Sequence, residues 1–515
     1  MRIRYVPSVT VPDRRSMVTV AVLKGEIEMD DGARRLEFHG GRAMSLLPFG
    51  VFIALIFLTT FVWRSISDGA LWVPAFVAIL VPFFLAKDKK HYSEVVISGM
   101  ARKECLIPVV CWIFAGVFSR VLRESGLASG IAGVASGVGV GPTLFLVITF
   151  LASAVFATAS GTGFGTIAAG MGVLYPAGVA LGCNHPLLAG AIISGAAFGD
   201  NLAPISDTTI CSATTQGVDV PGVVRSRLKY CVAALAITIP VFVILSIVKG
   251  VDASAVAPSA QYNPMTLIML VPVIITIWVA VKKGDIIIAT SVGIIVGFVF
   301  AIPAGLIDFV HIDSVSTLPA VISVSGEGLD RVVGGVLYDG LVSMIQVIML
   351  ALLLFGSISV MQRGEGDLLI LNGLGKVART ASGAEATISA MVIVLSGIMG
   401  LNAPAILTVG ASFAKPMSRK YGISPYRSAN LMDAQSNVLA YSLPWSPAMI
   451  YTLGFAKDSG APLVGTEVMP MVIYCFAMFV VMGVTIVFKI GRNDFMDHLS
   501  PDMRAQYGAG EIPPA

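Results

Sequence analysis

The stretch GAIISGAAFGDNLAPISDTT, residues 190–209, begins as an apolar run of small residues and ends in Asp200, Pro204 and Asp207. Proline removes a backbone donor and breaks the helical ladder. In hydrocarbon no water satisfies the freed N–H and C=O groups, so such a break survives only where it is buried in protein or lines a cavity. An aspartate at mid-bilayer costs about 2.5–3.5 kcal/mol on insertion scales. A break and two acids in one apolar segment therefore point to a built interior rather than to a lipid-facing wall.

The rest of the chain places that segment in a membrane. The 515 residues are 56% hydrophobic and 13% charged, with a mean hydropathy of +0.85; soluble domains are about 25% charged. Apolar runs near the ~18–20 residues needed to cross a bilayer recur throughout. Spans are expected near 46–63, 69–86, 104–122, 142–160, 164–182, 187–215 (interrupted), 228–249, 264–281, 285–307, 341–361, 385–414 (interrupted), 427–456 (interrupted) and 468–489. None shows the alternation of a barrel strand, so the expected class is an all-α polytopic membrane protein with the lipid bilayer as its partner. A net charge of +3 on so long a chain gives no reason to expect a nucleic-acid partner. The six cysteines have no CxxC or Cys/His spacing and read as small apolar fillers.

The domain reading follows. Residues 1–44 form a polar segment with no secretory signal, in which Asp-Asp-Gly could turn a small strand pair. Helices at 45–103 precede a first repeat at 104–250, linking helices and an extracellular loop at 251–340, a second repeat at 341–490 and an unstructured polar tail at 491–515. Arg34, Arg35, Arg42, Lys87, Lys89, Lys90, Arg102, Lys103, Arg225, Arg227, Lys229, Lys282 and Lys283 lie in short loops, whereas 251–263 carries no Lys or Arg. The positive-inside rule then puts the N-terminus in the cytoplasm of a bacterial-type inner membrane.

Residues 104–215 and 341–456 repeat one pattern. Each has a break at small residues (GTGFGT, 161–166; GLNAP, 400–404), then a second break (DNLAPISDTT, 200–209; NVLAYSLPWS, 437–446). Loop charges start the first repeat inside and the second outside, an inverted-topology arrangement. Paired interruptions in two halves mark a transporter binding site.

Asp200, Asp207 and Asp433 are expected to turn inward, toward one another, water or a bound cation, while Asp-Asn and Ser-Asp-Thr-Thr are also good helix caps. Thr162, Thr166, Asn201, Ser206, Thr208, Thr209, Asn402, Asn430, Asn437 and Ser442 add oxygens of the kind a hard cation takes. Lys415, Arg419, Lys420 and Arg427 flank spans and read as terminal anchors. Breaks that are polar and acidic only, without a deep cation, favour a cation as substrate. Asp339 and Glu124 read as solvated helix ends, and Trp445 as packing.

Together with GTGFGT and NLMDAQSNVLAYSLPW (430–445), the opening stretch resembles the NhaC family of Na⁺/H⁺ antiporters within the wider ion transporter superfamily, over about 104–489. The resemblance implies two inverted repeats with broken helices and re-entrant hairpins, elevator-type movement, and often a homodimer. The family's polar signature falls on Asp200, Ser206, Asp207, Thr208, Thr209 and Asp433. Two departures change its oxygen set. The usual Gly-Thr-Ser-Trp-Gly-Thr has Gly163 and Phe164 here, and the usual Ser-Pro ahead of the second-half Pro-Trp is Ala440-Tyr441.

The function read from the chain is secondary antiport of Na⁺ for H⁺, not enzyme catalysis. Desolvation raises a carboxylate's pKa, so one group can hold either a proton or a cation near neutral pH. Asp200 and Asp207 are the expected exchange pair, Asp433 a third Na⁺ ligand, and Thr162, Asn201, Asn402 and Asn437 supporting ligands, with no cofactor beyond the transported Na⁺ and H⁺. The alternative is a Na⁺- or H⁺-coupled carboxylate or amino-acid antiporter of malate/lactate type, using helix N-termini to hold a small organic ion. Tyr338-Asp339 and Ala197–Asp200 only faintly resemble intramembrane aspartyl protease motifs, in reversed order, and no P-loop is present.

Overall fold

The computed structural model describes residues 34–63, 69–204, 206–249, 263–283, 285–313, 318–326, 330–375, 378–499 and 501–507. Among them, seven helices are long and apolar enough to cross a membrane, or eight if the pair Gly465–Met471 and Ile473–Val487, bent by 47°, is one span. Shorter apolar helices at Arg42–Phe57, Trp72–Leu85, Pro264–Val279 and Ile287–Ala301 fall on four further expected spans. The protein is a predominantly helical, multi-pass membrane protein.

Two series of helices carry the site. The first comprises α1 (Lys103–Glu124), α2 (Leu127–Gly137), α3 (Pro142–Ser160), α4 (Gly163–Ala169), α5 (Tyr175–Ala180), α6 (His185–Leu202), α7 (Asp207–Gln216) and α8 (Val220–Lys249). The second comprises α9 (Ile345–Arg363), α10 (Gly366–Gly375), α11 (Ala381–Met399), α12 (Asn402–Val409), α13 (Lys415–Tyr421), α14 (Pro425–Ala440), α15 (Pro447–Asp458) and α16 (Ile473–Val487).

The local chemistry of the two series corresponds. Helices α3 and α11 are each 19 residues and each end on a left-handed glycine, Gly161 at φ 69° and Gly400 at φ 64°, a conformation that costs glycine nothing. A short helix follows in each, then a π-helical turn at Gly170–Leu174 or Gly410–Ala414, then α5 or α13 with a proline in its first turn. Helices α6 and α14 also open on a proline, Pro186 and Pro425, where the missing N–H has no intrahelical partner to lose. Ala203, in extended backbone, ends α6, and Pro204 follows in a turn. Beyond Tyr441, Ser446 restarts the chain by capping the Met449 N–H at 3.2 Å.

The core is tightest where small residues face each other. A Cβ on Gly199 would lie 2.3 Å from the Ala157 Cβ, so α6 approaches α3 as closely as small-residue interfaces in membranes allow. That contact pins the backbone immediately before Asp200.

The expected helical class holds, with one small sheet added in the expected linker: β1 (Asp308–Ile312) pairs parallel with β2 (Ala320–Ser325), which pairs antiparallel with β3 (Val332–Gly334). Three expectations need correction. The polar tail is packed as far as residue 507: Arg492 bonds Glu385 at 2.6 Å, its carbonyl accepts from the Ser424 N–H, and Leu499 and Tyr507 are buried. A buried glutamate demands a counter-ion, and the tail supplies one. Asp339 and Glu124 are not merely solvated ends, because both bind Arg120, which also reaches Asp458 at 2.9 Å. Lastly, Arg227 and Arg427 are fully buried. Deep cations are therefore present, one of them drawn from a supposed loop.

The expected N-terminal strand pair lies outside the described residues. Residues 34–44, at the end of that segment, dock onto the helices: Leu36 and Phe38 are buried, and Arg34 pairs with Asp88 at 2.8 Å. Trp445 packs edge-on against Phe52, as expected.

Candidate functional site

The four breaks meet. Asp200, at the end of α6 and only 3% exposed, accepts the Ser206 hydroxyl at 2.6 Å on one oxygen and the Tyr441 hydroxyl at 3.3 Å on the other. Ser206 continues to Thr208 at 2.9 Å. Asn201 accepts the Asn437 amide at 2.9 Å and donates to the Tyr474 hydroxyl at 3.1 Å. Asn437 in turn accepts from Asn402 at the opening of α12. Two polar clusters, carried by the consecutive residues Asp200 and Asn201, thus join the α6–α7 break, the α11–α12 break and α14. Because each buried polar group in them is matched by another, the clusters are rigid and expensive to disrupt.

The remaining break joins through a close approach. A Cβ on Gly163 would fall 1.8 Å from the Tyr441 hydroxyl oxygen, so any residue but glycine there would displace the phenol. The two departures from the family pattern sit at these touching positions. Losing a side chain at 163 makes the space that Tyr441 fills, and its hydroxyl returns an oxygen to the site.

Asp433 lies fully buried beside these clusters. Its Oδ2 lies 2.5 Å from Arg227 Nη1 on α8, both side chains fully buried, and the Ser212 hydroxyl approaches at 3.4 Å. Arg227 also donates from Nη1 to the Asn201 carbonyl at 2.7 Å and the Thr209 hydroxyl at 3.2 Å, and from Nε to Asn430 at 3.0 Å. The Asp207 and Asp433 carboxylates both act electrostatically on Asp200.

Of the residues singled out in the sequence, Asp200, Asn201, Ser206, Thr208, Thr209, Asn402, Asp433 and Asn437 are buried and connected. Asp207 is exposed at the first position of α7, its Oδ1 accepting its neighbour Thr208's N–H at 2.8 Å, and it stays close enough to act electrostatically on Asp200. A carboxylate in a helix's first turn is favoured by the unpaired N–H groups there, which accounts for its place at the rim. Thr162 spends its hydroxyl capping the Gly165 N–H at 3.2 Å.

Sequence reasoning missed Arg227, Tyr441, Ser212 and Tyr474. For Arg227 a signal existed. Helix α8 has 30 residues, about 45 Å at 1.5 Å per residue, so its polar first third had to be accommodated against protein. Tyr441 and Tyr474 had no such signal, since an aromatic in an apolar run reads as packing.

A profile of the Na⁺/H⁺ antiporter family matches residues 36–251 and 229–487. A malate-2H⁺/Na⁺-lactate antiporter of Bacillus subtilis is 24% identical over 460 residues, covering 86% of this chain and 93% of its own length. The Na⁺/H⁺ antiporter NhaC of Alkalihalophilus pseudofirmus is 24% identical over 462 residues, covering 86% and 94%. Among solved structures, the YdaH transporter of Alcanivorax borkumensis aligns with a TM-score of 0.38 and 12% identity, over 87% of this chain and 98% of that one. With the family profile matched across nearly the whole membrane region, this chain belongs to the Na⁺/H⁺ antiporter family.

Proposed function

We propose that the protein exchanges Na⁺ for H⁺ across a bacterial plasma membrane, with Asp200 as the group that holds either ion. One observation carries the reading: a carboxylate 3% exposed stands where four helix breaks converge, held by two hydroxyls rather than by a permanent cation. Such a group is stable as a neutral acid or as a carboxylate with a bound cation, and costly as a bare anion. Proton and cation occupancy then exclude one another, which couples their movements without a separate device. Asp207, at the rim beside it, attracts cations and lowers the barrier to entry. Ser206, Thr208 and the freed carbonyls at the α6 end complete the oxygen shell for Na⁺.

The recurring element order supports a repeat; in this reading the repeat is inverted, the broken helices are re-entrant hairpins, the N-terminus is cytoplasmic, and the hairpin-bearing part moves as an elevator in a homodimer. The deciding experiment uses proteoliposomes loaded with a pH-sensitive dye and pulsed with Na⁺ or Li⁺. Proton movement with wild type and none with Asp200→Asn is expected; no movement with wild type overturns the reading.

A second reading has its own observation. The two long relatives are equally distant at 24% identity, and the name of one specifies malate and lactate. Carboxylate exchange would need a group for the anion, but Arg227 already commits Nη1 and Nε to protein oxygens. Flux in the same vesicles driven by malate, lactate or amino acids, with no response to Na⁺ alone, would favour it.

A further inference from the structure

Arg227 Nη1 sits among three oxygens of different kinds: the Asp433 carboxylate at 2.5 Å, the Asn201 carbonyl at 2.7 Å and the Thr209 hydroxyl at 3.2 Å. The Asn201 carbonyl belongs to the last turn of α6, whose carbonyls the break leaves without helical partners. Carboxylate, freed carbonyl and hydroxyl are the donor set of a hard-cation site, yet here they surround a nitrogen. One further atom fits that picture: among the described residues, Asp433 Oδ1 is buried with no hydrogen-bond partner, an acceptor left over of the kind a bound cation takes.

We propose that Arg227 is a tethered cation: its guanidinium fills a cation site built around Asp433, so that a single transported cation binds, on the Asp200 side. This rests on the exchange reading above and deepens it, since it sets how many cations the site carries. Arginine suits the task because it stays charged at any accessible pH. It cannot leave with the cargo, so Asp433 is held neutralised through the whole cycle.

The test reconstitutes the full chain and follows Na⁺-driven proton flux against Na⁺ concentration. Wild type responds with one-site steepness. Arg227→Ala uncovers Asp433 and gives two-site steepness, and adding Asp433→Asn returns it to one site. Arg227→Lys, which keeps a tethered charge, stays at one site. A single Ala variant as shallow as wild type, or a double variant that retains the second site, overturns the proposal. Since Arg227→Ala leaves a buried charge and can fail to fold, its melting temperature is also measured in NaCl and in choline chloride. Selective recovery by sodium supports the proposal, and a variant that sodium does not recover overturns it, because sodium then fails to take the guanidinium's place. Wild type without any flux overturns the exchange reading instead, while the melts still report on Asp433.

Discussion

Among the described residues, two carboxylates lie fully buried against arginines, and their surroundings differ. Glu385 on α11 has both oxygens matched: Oε1 to Arg427 at 3.0 Å and Oε2 to Arg492 at 2.6 Å, with Thr485 taking a second Arg427 hydrogen at 3.0 Å. Asp433 on α14 faces one guanidinium and keeps one oxygen bare among the described residues. The first joins α11, α14 and the C-terminal tail as a structural knot. The second borders the network of broken helices. The difference teaches that burial and pairing do not by themselves mark function; a carboxylate oxygen left without a partner, beside backbone freed by a break, does.

The comparison can be broken where its effects are largest. Arg427→Met leaves Glu385 with one partner and is expected to destabilise the fold by about 3–5 kcal/mol, the cost of breaking a buried pair, read as a lower melting temperature. The Na⁺ dependence of the protein that still folds should keep its one-site form; a two-site form would erase the distinction between the two pairs. Asp200→Asn should reverse the pattern, with Na⁺-driven proton flux falling at least about 100-fold, or about 2.7 kcal/mol, while the melting temperature stays near wild type.

Smaller changes sharpen the comparison at the rim of the site. Gly163→Ala must push Tyr441 away from Asp200, since its Cβ would otherwise stand 1.8 Å from the phenol oxygen; overpacking of this kind costs about 1–3 kcal/mol. Tyr441→Phe removes one hydrogen bond to Asp200, worth about 0.5–1.5 kcal/mol. The double variant should cost less than the sum of the two, because the clash and the lost bond share one atom. Additive losses in the apparent affinity for Na⁺ would separate the two positions.

The smallest effect lies outside the spans. Asp219, in the loop before α8, is held below the usual carboxylate range by the Tyr426 hydroxyl first and by the Gly222 N–H, against a modest desolvation penalty. Its folded-state pKa is lowered, so its contribution is complete above the ordinary value of about 3.9 and disappears as pH falls through the lowered value. Asp219→Asn should therefore melt slightly earlier than wild type at neutral pH, and the gap should close in strong acid. A gap that persists in acid would point to the Gly222 turn rather than to charge.

How much of this was legible in the residues depended on range. Local signals were accurate: Gly161, Pro204, Gly400 and Pro444 announced breaks, and Asp200, Asn201, Ser206, Asn402 and Asn437 stood beside them. Each is a statement about what a few neighbouring residues permit. The misreadings concerned partners far apart in the chain. Arg227 looked like a loop charge because its partner Asp433 lies 206 residues away, and charge counting cannot tell a snorkelling arginine from a buried one. The tail looked unstructured because nothing within it shows that Glu385 needs Arg492.

The amino-acid order alone determined that the chain is helical and membrane-embedded, where its helices break, and that acids and amides accompany those breaks. Those outcomes follow from transfer free energies and backbone satisfaction, which act residue by residue. Only the tertiary structure decided which acid is held by hydroxyls alone, which is paired with an arginine and which is exposed. A carboxylate's state in a low-dielectric interior is set by the few charges and donors within several ångströms of it, and those come from helices that meet only on folding.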